Sequence, residues 1–326
     1  MSEKKVPILD VRNLNVEFKV QDGIVKAVNG LSFKIYDGEI VGIVGESGSG
    51  KSQTMLALMG LLASNGRTYG SVKFLGQELV GLSTNKLNKI RGNQIAMIFQ
   101  DPMTSLNPYL KISAQMTEIL ILHKKLSYKE ALHESIRMLE RVKIPDAKNR
   151  IHLYPHEFSG GMRQRVMIAM MLLTRPKLLI ADEPTTALDV TVQAQILELL
   201  KELRQEFKMA IIFITHDMGV VANLCDRVNV MYGGWLMETA SIHEIFTNPQ
   251  HPYTKALLES IPSIDHEVEK LRTIPGEPPN LLQLPKGCPF QARCQLTSNN
   301  CSEIIPLQRV NPRHVVKCTQ ELGVKL

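Results

Sequence analysis

The chain has 326 residues, of which 44% are apolar and 21% are charged, the ordinary composition of a globular protein. This composition excludes a collagen, a disordered chain and a small domain held together by disulfides. The formal net charge of +6 is small for this length, so charge alone indicates neither a nucleic-acid nor a membrane partner. Four of the five cysteines fall within the last 39 residues: Cys288, Cys294, Cys301 and Cys318.

The sequence also bears on the compartment. No apolar run reaches the ~18–20 residues that cross a bilayer, and the N-terminus has no apolar core or cleavage site of a secretory signal. We therefore expect the chain in the cytosol, where thiols stay reduced. In that setting the clustered cysteines favour metal ligands over disulfides. The fifth, Cys225, lies in an apolar stretch and is predicted to be a small buried residue.

The first 60 residues begin with strands. Residues 8–45 alternate between apolar and polar positions, and turn signals separate the runs, which predicts a β-rich start. The run Glu39–Gly45 is almost wholly apolar, as expected of a strand buried on both faces. A glycine-rich segment, Gly45–Lys51, follows it, and Ser52–Leu62 has helical apolar spacing. The order predicted here is strand, glycine loop, helix.

The middle of the chain changes from strands to helices and back. Residues 112–124 and 128–142 are predicted to be amphipathic helices, which indicates a helical subdomain over about residues 101–160. After it a buried strand, a helix and another buried strand are predicted: Leu178–Asp182, Val190–Phe207 and Met209–Thr215. Such alternation predicts a mostly parallel sheet.

The C-terminal quarter has a different texture. Ten of the 17 prolines lie at or after Pro249, which predicts a segment rich in loops. We therefore divide the chain into a domain over residues 1–240 and a Pro-rich extension over residues 241–326 that carries the four cysteines.

The segment Gly45–Ser52 fits the phosphate-loop pattern G-x-x-x-x-G-K-[ST] at every fixed position. Glycines let successive backbone N–H groups turn toward phosphate oxygens, and the next helix directs its positive N-terminus at the same anion. Lys51 would reach the β- and γ-phosphates, and Ser52 would ligate Mg²⁺. The predicted nucleotide-binding residues of the loop are Gly45, Ser47, Gly48, Ser49, Gly50, Lys51 and Ser52.

A pair of carboxylates follows the buried strand Leu178–Asp182. Asp182 would stand at the carboxyl edge of the sheet, where ligands bind in α/β folds, and would hold Mg²⁺ directly or through water. Glu183 would polarise the water that attacks the γ-phosphate. An apolar run ending in Asp-Glu is a weak signal alone, but together with the phosphate loop it predicts nucleotide hydrolysis.

Between these elements Phe158–Gln164 (FSGGMRQ) resembles the Leu-Ser-Gly-Gly-Gln signature of ABC (ATP-binding cassette) ATPases, with Phe in place of Leu and Met in place of the final Gln. Further segments resemble other motifs of that family in the expected order: Phe18 at the adenine-stacking position, Gln100 of the Q-loop, Asp189 of the D-loop and His216 of the switch.

The resemblance implies an ABC-type P-loop NTPase with an α/β fold, an N-terminal antiparallel β subdomain, a helical insertion and an added extension. It implies that ATP and Mg²⁺ are bound, with Mg²⁺ held by Ser52, Gln100 and Asp182. Catalysis would fall to Glu183, Gln100 and His216. The signature residues Ser159, Gly160 and Gly161 would act on the nucleotide of a partner subunit.

Three further segments, Asp101–Pro108, His251–Leu258 and Pro275–Pro279, resemble the ATPases of oligopeptide, dipeptide and nickel importers. This implies a peripheral protein on the cytoplasmic face of the membrane that powers peptide import. Its partners would be two permeases, a second and related ATPase, and an extracellular binding protein. Residues 101–110 are the candidates for the permease contact.

The alternative function is that of a soluble ABC ATPase that acts on nucleic acid or ribosomes. A single cassette, no long coiled coil and no concentrated block of Lys and Arg argue against it and against a nucleic-acid partner.

The four late cysteines have the spacing C-x5-C-x6-C-x16-C. Four thiolates suit zinc or a [4Fe–4S] cluster equally well in ligand number, and the spacing matches no common zinc finger. Several dipeptide-importer ATPases carry an iron–sulfur cluster in such a tail, and CPFQARC resembles theirs. The resemblance therefore implies a [4Fe–4S] cluster, with zinc or unligated thiols as the alternatives.

Overall fold

A computed structural model describes residues 6–100, 105–186, 188–261 and 273–319. Its strands are β1 (Leu9–Val20), β2 (Gly23–Ile35), β3 (Ile40–Val44), β4 (Gly66–Phe74), β5 (Gln77–Glu78), β6 (Ile95–Ile98), β7 (Leu178–Asp182), β8 (Ala210–Thr215), β9 (Arg227–Tyr232), β10 (Trp235–Ser241), β11 (Gln308–Asn311) and β12 (His314–Val316). Its α-helices are α1 (Lys51–Met59), α2 (Thr84–Asn88), α3 (Ile112–Lys124), α4 (Tyr128–Arg141), α5 (Ala147–Arg150), α6 (Gly160–Leu172), α7 (Val190–Phe207), α8 (Met218–Leu224), α9 (Ile242–Thr247) and α10 (Pro252–Glu259).

The chain forms two compact units. Of the described residues, the first unit contains 6–36, 40–81 and 213–319, and the second contains 37–39 and 82–212, each with the gaps given above. This division does not follow the predicted boundary near residue 240. The extension belongs to the first unit because β12 pairs with β10, Val316 lying opposite Glu238.

The N-terminal part of the first unit is an antiparallel sheet in the order β2-β1-β4-β5. β1 places Leu9, Val11, Leu14 and Val16 in the core, each almost wholly buried, while polar side chains alternate with them. This is the β-rich start that the alternation predicts, and such alternation is typical of a sheet with one buried face.

The first unit also contains strands in the order β11-β12-β10-β9-β3. β3 runs parallel to β9, with Val44 opposite Val230, whereas β9, β10, β12 and β11 pair in antiparallel fashion. All five residues of β3 are buried, as the apolar run predicts. The chain leaves the carboxyl end of β3 through the glycine-rich segment and enters α1, so the predicted order of strand, loop and helix is confirmed.

The second unit pairs β6 parallel to β7, with Ile98 opposite Ala181. The two predicted amphipathic helices are present as α3 and α4. α4 begins with a capping box, in which the Ser127 hydroxyl accepts from the Glu130 N–H and the Glu130 carboxylate accepts from the Ser127 N–H. The chain returns to the first unit through β8, whose six residues are all buried.

None of the helices in the described parts of the chain is long and apolar enough to span a bilayer.

Candidate functional site

The predicted phosphate loop depends on glycine at defined places. Gly45 and Gly50 have φ angles of 152° and 94°, which side-chain-bearing residues rarely adopt. A Cβ atom at Gly45 would lie 2.1 Å from the carbonyl oxygen of Met231, and one at Gly50 would lie 2.4 Å from that of Ala27. The loop is therefore packed against neighbouring backbone, and its shape cannot be kept with larger residues at these two positions.

Lys51 is folded into the centre of this loop. Its side chain is buried, and the ammonium donates to the carbonyl oxygens of Gly45 and Glu46 at 2.7 and 2.9 Å and to the Ser49 hydroxyl at 3.3 Å. These acceptors are neutral, so a phosphate oxygen would make the stronger, charge-assisted hydrogen bond to the same ammonium. Ser52 is half-buried in the first turn of α1. The arrangement has the chemistry of an anion site at a helix N-terminus.

Two residues far along the chain support the loop from outside. The N–H of Glu46 donates to the Tyr253 hydroxyl at 2.8 Å, and the Glu46 carboxylate is bound by the Arg293 guanidinium. Sequence reasoning missed both residues. They are separated from Glu46 by 207 and 247 positions, and no local pattern announces such a contact.

Phe18, the predicted adenine platform, lies on β1 opposite Val25 and Gly66. Its side chain is half-buried, and a Cβ atom at Gly66 would lie 2.8 Å from the ring. The ring thus covers a glycine near the end of the sheet, unlike the fully buried apolar side chains of the same strand. Stacking on adenine stays a prediction.

In the second unit the carboxyl ends of β6 and β7 bring two predicted residues together. Asp182 is buried at the end of β7, and Glu183 follows in the left-handed region with φ of 46°. The Gln100 amide donates to a Glu183 carboxylate oxygen at 3.2 Å, and the Thr186 hydroxyl donates to the same oxygen at 3.0 Å. The backbone of Glu183 is strained by about 1–2 kcal/mol, as is common at functional turns.

A further tether joins this turn to α6. The buried amide of Gln164 donates to the carbonyl oxygen of Pro184, the residue after Glu183. Gln164 and Thr186 are thus two residues near the predicted catalytic carboxylate that sequence reasoning did not single out. Both lie within or next to a recognisable motif, so spacing from Glu183 could have suggested Thr186.

The predicted signature residues open α6. Ser159 is its N-cap, and the Ser159 hydroxyl accepts from the Met162 N–H at 3.4 Å. Ser159 and Gly160 are exposed, and no atom lies within 4 Å of a Cβ built at Gly160. A Cβ at Gly161 would lie 2.7 Å from a methyl group of Val192 on α7. Gly161 therefore permits the close packing of two helices, while its two predecessors face solvent.

Asp189 and His216 are both exposed. Asp189 is the N-cap of α7 and accepts from the Val192 N–H at 2.9 Å. His216 follows β8 directly, in the first unit. The predicted residues are thus distributed over both units. The first carries Phe18, the phosphate loop and His216, and the second carries Gln100, Asp182, Glu183, Ser159, Gly160, Gly161 and Asp189.

The four late cysteines lie in one C-terminal segment, and none of the five cysteines forms a disulfide. Cys288, Cys301 and Cys318 are buried and Cys294 is half-buried. The Cys288 N–H donates to the Cys301 carbonyl at 2.8 Å, which brings two of the four residues together. Burial, together with the nearby Cys301, Cys318 and Cys294, raises the pKa of the Cys288 thiol to about 11.

Ligation of a metal requires thiolates, and a raised pKa opposes their formation until a cation is present. Within the described ranges no group of three or more His, Cys, Asp or Glu side chains is arranged to hold a metal ion. The prediction of a four-cysteine metal site is therefore not confirmed. The buried Cys225 agrees with the prediction made for it.

Comparison with known proteins gives matches to the N-terminal and to the C-terminal part of the sequence. A family model described as ABC transporter matches residues 28–186, and one described as the C-terminal region of oligopeptide/dipeptide transporters matches residues 237–301. The chain is 61% identical to the oligopeptide transport ATP-binding protein OppD of Haemophilus influenzae over 96% of this chain and 97% of that protein. It is 51% identical to the dipeptide transport ATP-binding protein DppD of Bacillus subtilis, over 95% and 94% of the two chains.

A solved structure of the ATP-binding cassette MJ0796, a dimer in a post-hydrolysis state bound to ADP and phosphate, superposes with a TM-score of 0.65. It is 27% identical and covers 72% of this chain and 98% of its own. The predicted fold class, a P-loop NTPase cassette with an antiparallel β subdomain and helical regions, is confirmed.

Proposed function

This chain belongs to the family of ATP-binding subunits of oligopeptide and dipeptide ABC transporters, and we propose that its ATP hydrolysis drives peptide import. Membership in the family makes it an ABC-type ATPase. The single observation that supports peptides as the cargo is the match of residues 237–301 to the C-terminal region of oligopeptide/dipeptide transporters.

Nucleotide binding would begin at the phosphate loop. The backbone N–H groups of Gly48 and Gly50 and the ammonium of Lys51 would hold the phosphates, because the loop is curled around that ammonium. Ser52, Gln100 and Asp182 carry the oxygen ligands that Mg²⁺ prefers. When bound, Mg²⁺ neutralises charge on the phosphate oxygens. Phe18 would stack on the adenine.

Hydrolysis would depend on Glu183 as the acceptor of the proton from the attacking water. The donors on Gln100 and Thr186 occupy one carboxylate oxygen and so restrict the orientation of the other. His216 would donate to the γ-phosphate, where negative charge accumulates in the transition state. The support is geometric: Gln100, Thr186 and Glu183 form one hydrogen-bonded group at a strained turn.

The signature residues Ser159, Gly160 and Gly161, together with Asp189, would act on the nucleotide of a second, related ATPase subunit. We propose two permeases and an extracellular binding protein as the remaining partners, and a peripheral position on the cytoplasmic face of the membrane. Residues 101–110 would contact a permease. Of these, residues 101–104 lie outside the described part of the chain.

The four late cysteines would hold a [4Fe–4S] cluster, or zinc as the alternative. Four thiols in one segment without disulfides supply the right donor set, although their described arrangement does not form a metal site. Iron and zinc assays of anaerobically purified protein, with an absorption spectrum, test this. Iron with broad visible absorption supports the cluster, zinc alone supports the alternative, and a colourless, metal-free sample removes both.

Purification from cells in mild detergent tests the proposed partners. We expect two permeases and a second ATPase to copurify with the chain, in a complex that survives 0.5 M salt. Recovery of RNA or DNA instead, with binding lost steeply as salt rises, would favour the nucleic-acid function and contradict peptide import.

A further inference from the structure

The phosphate loop has a side-chain partner that lies outside the cassette motifs. The Glu46 carboxylate accepts hydrogen bonds from both terminal nitrogens of Arg293, at 2.5 and 3.0 Å. The Arg293 side chain is only 5% exposed and that of Glu46 26%. Such a two-point contact fixes orientation as well as distance. It joins the loop to the cysteine-bearing segment, since Arg293 directly precedes Cys294.

Arg293 is itself fixed in every direction. Its Nε donates to the Pro275 carbonyl at 2.9 Å, and one terminal nitrogen donates to the Ile274 carbonyl at 3.0 Å. The other terminal nitrogen also donates to the Tyr232 hydroxyl at 3.1 Å. With the two bonds to Glu46, all five guanidinium N–H donors are used. A side chain held in this way keeps one position and can therefore fix the position of Glu46. A flexible surface lysine could not do so.

An aromatic cluster lies beneath this contact and reaches the loop a second time. The guanidinium of Arg293 lies over the rings of Tyr232 and Phe290, 5.7 and 5.9 Å from their centres. Tyr253 packs on Tyr232 at 4.6 Å, and its hydroxyl accepts from the Glu46 N–H. Both the backbone and the side chain of Glu46 are therefore held by residues beyond position 230.

The Arg293 guanidinium keeps its positive charge. Burial lowers the pKa of the Arg293 guanidinium, but hydrogen bonds to Glu46 and Tyr232 outweigh it and leave the pKa above its ordinary value. Breaking a largely buried pair leaves an uncompensated charge, so loss of either partner displaces the other. On the side of the loop the displaced partner is Glu46, whose own carbonyl accepts from the Lys51 ammonium.

We propose that Arg293 is a positioning residue for ATP binding, which fixes Glu46 and thereby the loop conformation that receives the phosphates. The inference rests on the proposed phosphate site at Gly45–Ser52. It makes ATP affinity depend on the C-terminal segment, although that segment contains no cassette motif. ATP binds more tightly when the loop is already held in its binding conformation, because the loop then loses less conformational entropy on binding.

Equilibrium binding of Mg·ATP to the full chain tests this. Arg293→Met and Glu46→Gln should each raise the Kd about tenfold, and the double variant should raise it no further, because the two residues act through one contact. Arg293→Lys keeps the charge without the fork and should raise it about threefold. Arg313→Met, which changes an exposed arginine of the same segment, should stay within twofold of the unchanged protein.

Steady-state kinetics separate positioning from a general loss of structure. Positioning predicts that KM for ATP rises while kcat at saturating ATP stays within about twofold. If Arg293→Met does not fold, Glu46→Gln, which alters only the loop partner, carries the test. Lys51→Ala distinguishes the two proposals. Retained ATP binding in Lys51→Ala overturns the phosphate site. This inference alone is overturned if Lys51→Ala loses ATP binding but Arg293→Met and Glu46→Gln each keep a Kd within twofold of the unchanged protein. It is likewise overturned if the effects of the two substitutions on Kd add in the double variant.

Discussion

The phosphate loop and the turn that carries Glu183 are held in place by different means. In the loop, backbone groups and a buried lysine supply the donors, and glycines at Gly45 and Gly50 allow contact with neighbouring carbonyls. At the turn, the side chains of Gln100 and Thr186 hold a half-exposed carboxylate. Phosphate binding thus depends on a backbone conformation that tolerates few substitutions, whereas hydrolysis depends on a few side chains. Substitutions should separate the two.

The largest effect should come from Glu183→Gln. It keeps the size of the side chain and removes the base, so turnover should fall about a thousandfold while the Kd for ATP stays within threefold. Phosphate release and equilibrium binding measure the two quantities. Glu198→Gln is the matched control, because Glu198 is an exposed carboxylate on α7 in the same unit, paired with Lys201 at 3.6 Å. Turnover close to that of the control would remove Glu183 from the catalytic role.

Acid should weaken the support of the loop. Burial, opposed by the nearby Glu238 carboxylate and a hydrogen bond involving the Lys317 backbone, lowers the pKa of His251 from 6.5 to about 4. His251 accepts from the Tyr253 N–H at 3.0 Å, and Tyr253 in turn holds Glu46.

Between pH 6.5 and 4 the unfolded chain binds a proton at His251 that the folded chain does not. The stability conferred by neutral His251 is therefore complete above pH 6.5 and is lost as pH falls toward 4, by up to ~3 kcal/mol. Denaturant unfolding over this range measures the loss. His251→Asn, which can still cap α10, should lack this part of the pH dependence. Equal pH dependence in both proteins would refute the assignment.

Gly50→Ala should damage binding more than chemistry. The new methyl group would meet the Ala27 carbonyl, so the loop must shift, and the Kd for ATP should rise more than tenfold. Gly76→Ala is the control, since Gly76 has a similar positive φ of 82° but open space around a Cβ. Similar ATP affinities for the two variants would mean that the contact with Ala27 does not determine the shape of the loop.

Thr186→Val should have the smallest effect, on turnover alone. It removes one donor to the Glu183 carboxylate and should lower kcat about fivefold with ATP binding unchanged. Thr186→Ser keeps the hydroxyl and should restore most of the activity. If Thr186→Ser is as slow as Thr186→Val, the methyl group rather than the hydrogen bond is what matters.

Local motifs made much of this molecule predictable. The apolar run of β3, the glycine loop and α1 are consecutive in sequence, so their arrangement follows from short-range rules. The family resemblance identified Gln100 and Glu183 separately, and the parallel register of β6 and β7 explains why the two side chains meet. Contacts between residues hundreds of positions apart, such as that of Glu46 with Arg293, could not be predicted from the sequence, because packing of the whole unit creates them.

The four late cysteines also show that sequence alone does not determine three-dimensional contacts. Their spacing and number identify a candidate ligand set, yet ligand geometry depends on how loops converge, and spacing does not determine that. The predicted boundary at residue 240 marks a change in amino-acid composition. The compact unit nevertheless extends beyond residue 240, because β12 pairs with β10.

The central claim is that ATP hydrolysis by this chain drives peptide import. The direct measurement is uptake of a labelled oligopeptide into vesicles that contain the whole transporter, with the binding protein on the outer side and ATP inside. We predict ATP-dependent accumulation with the unchanged chain and with Glu198→Gln, and none with Glu183→Gln. Accumulation that persists with Glu183→Gln, or ATP hydrolysis without any peptide uptake, would contradict the claim.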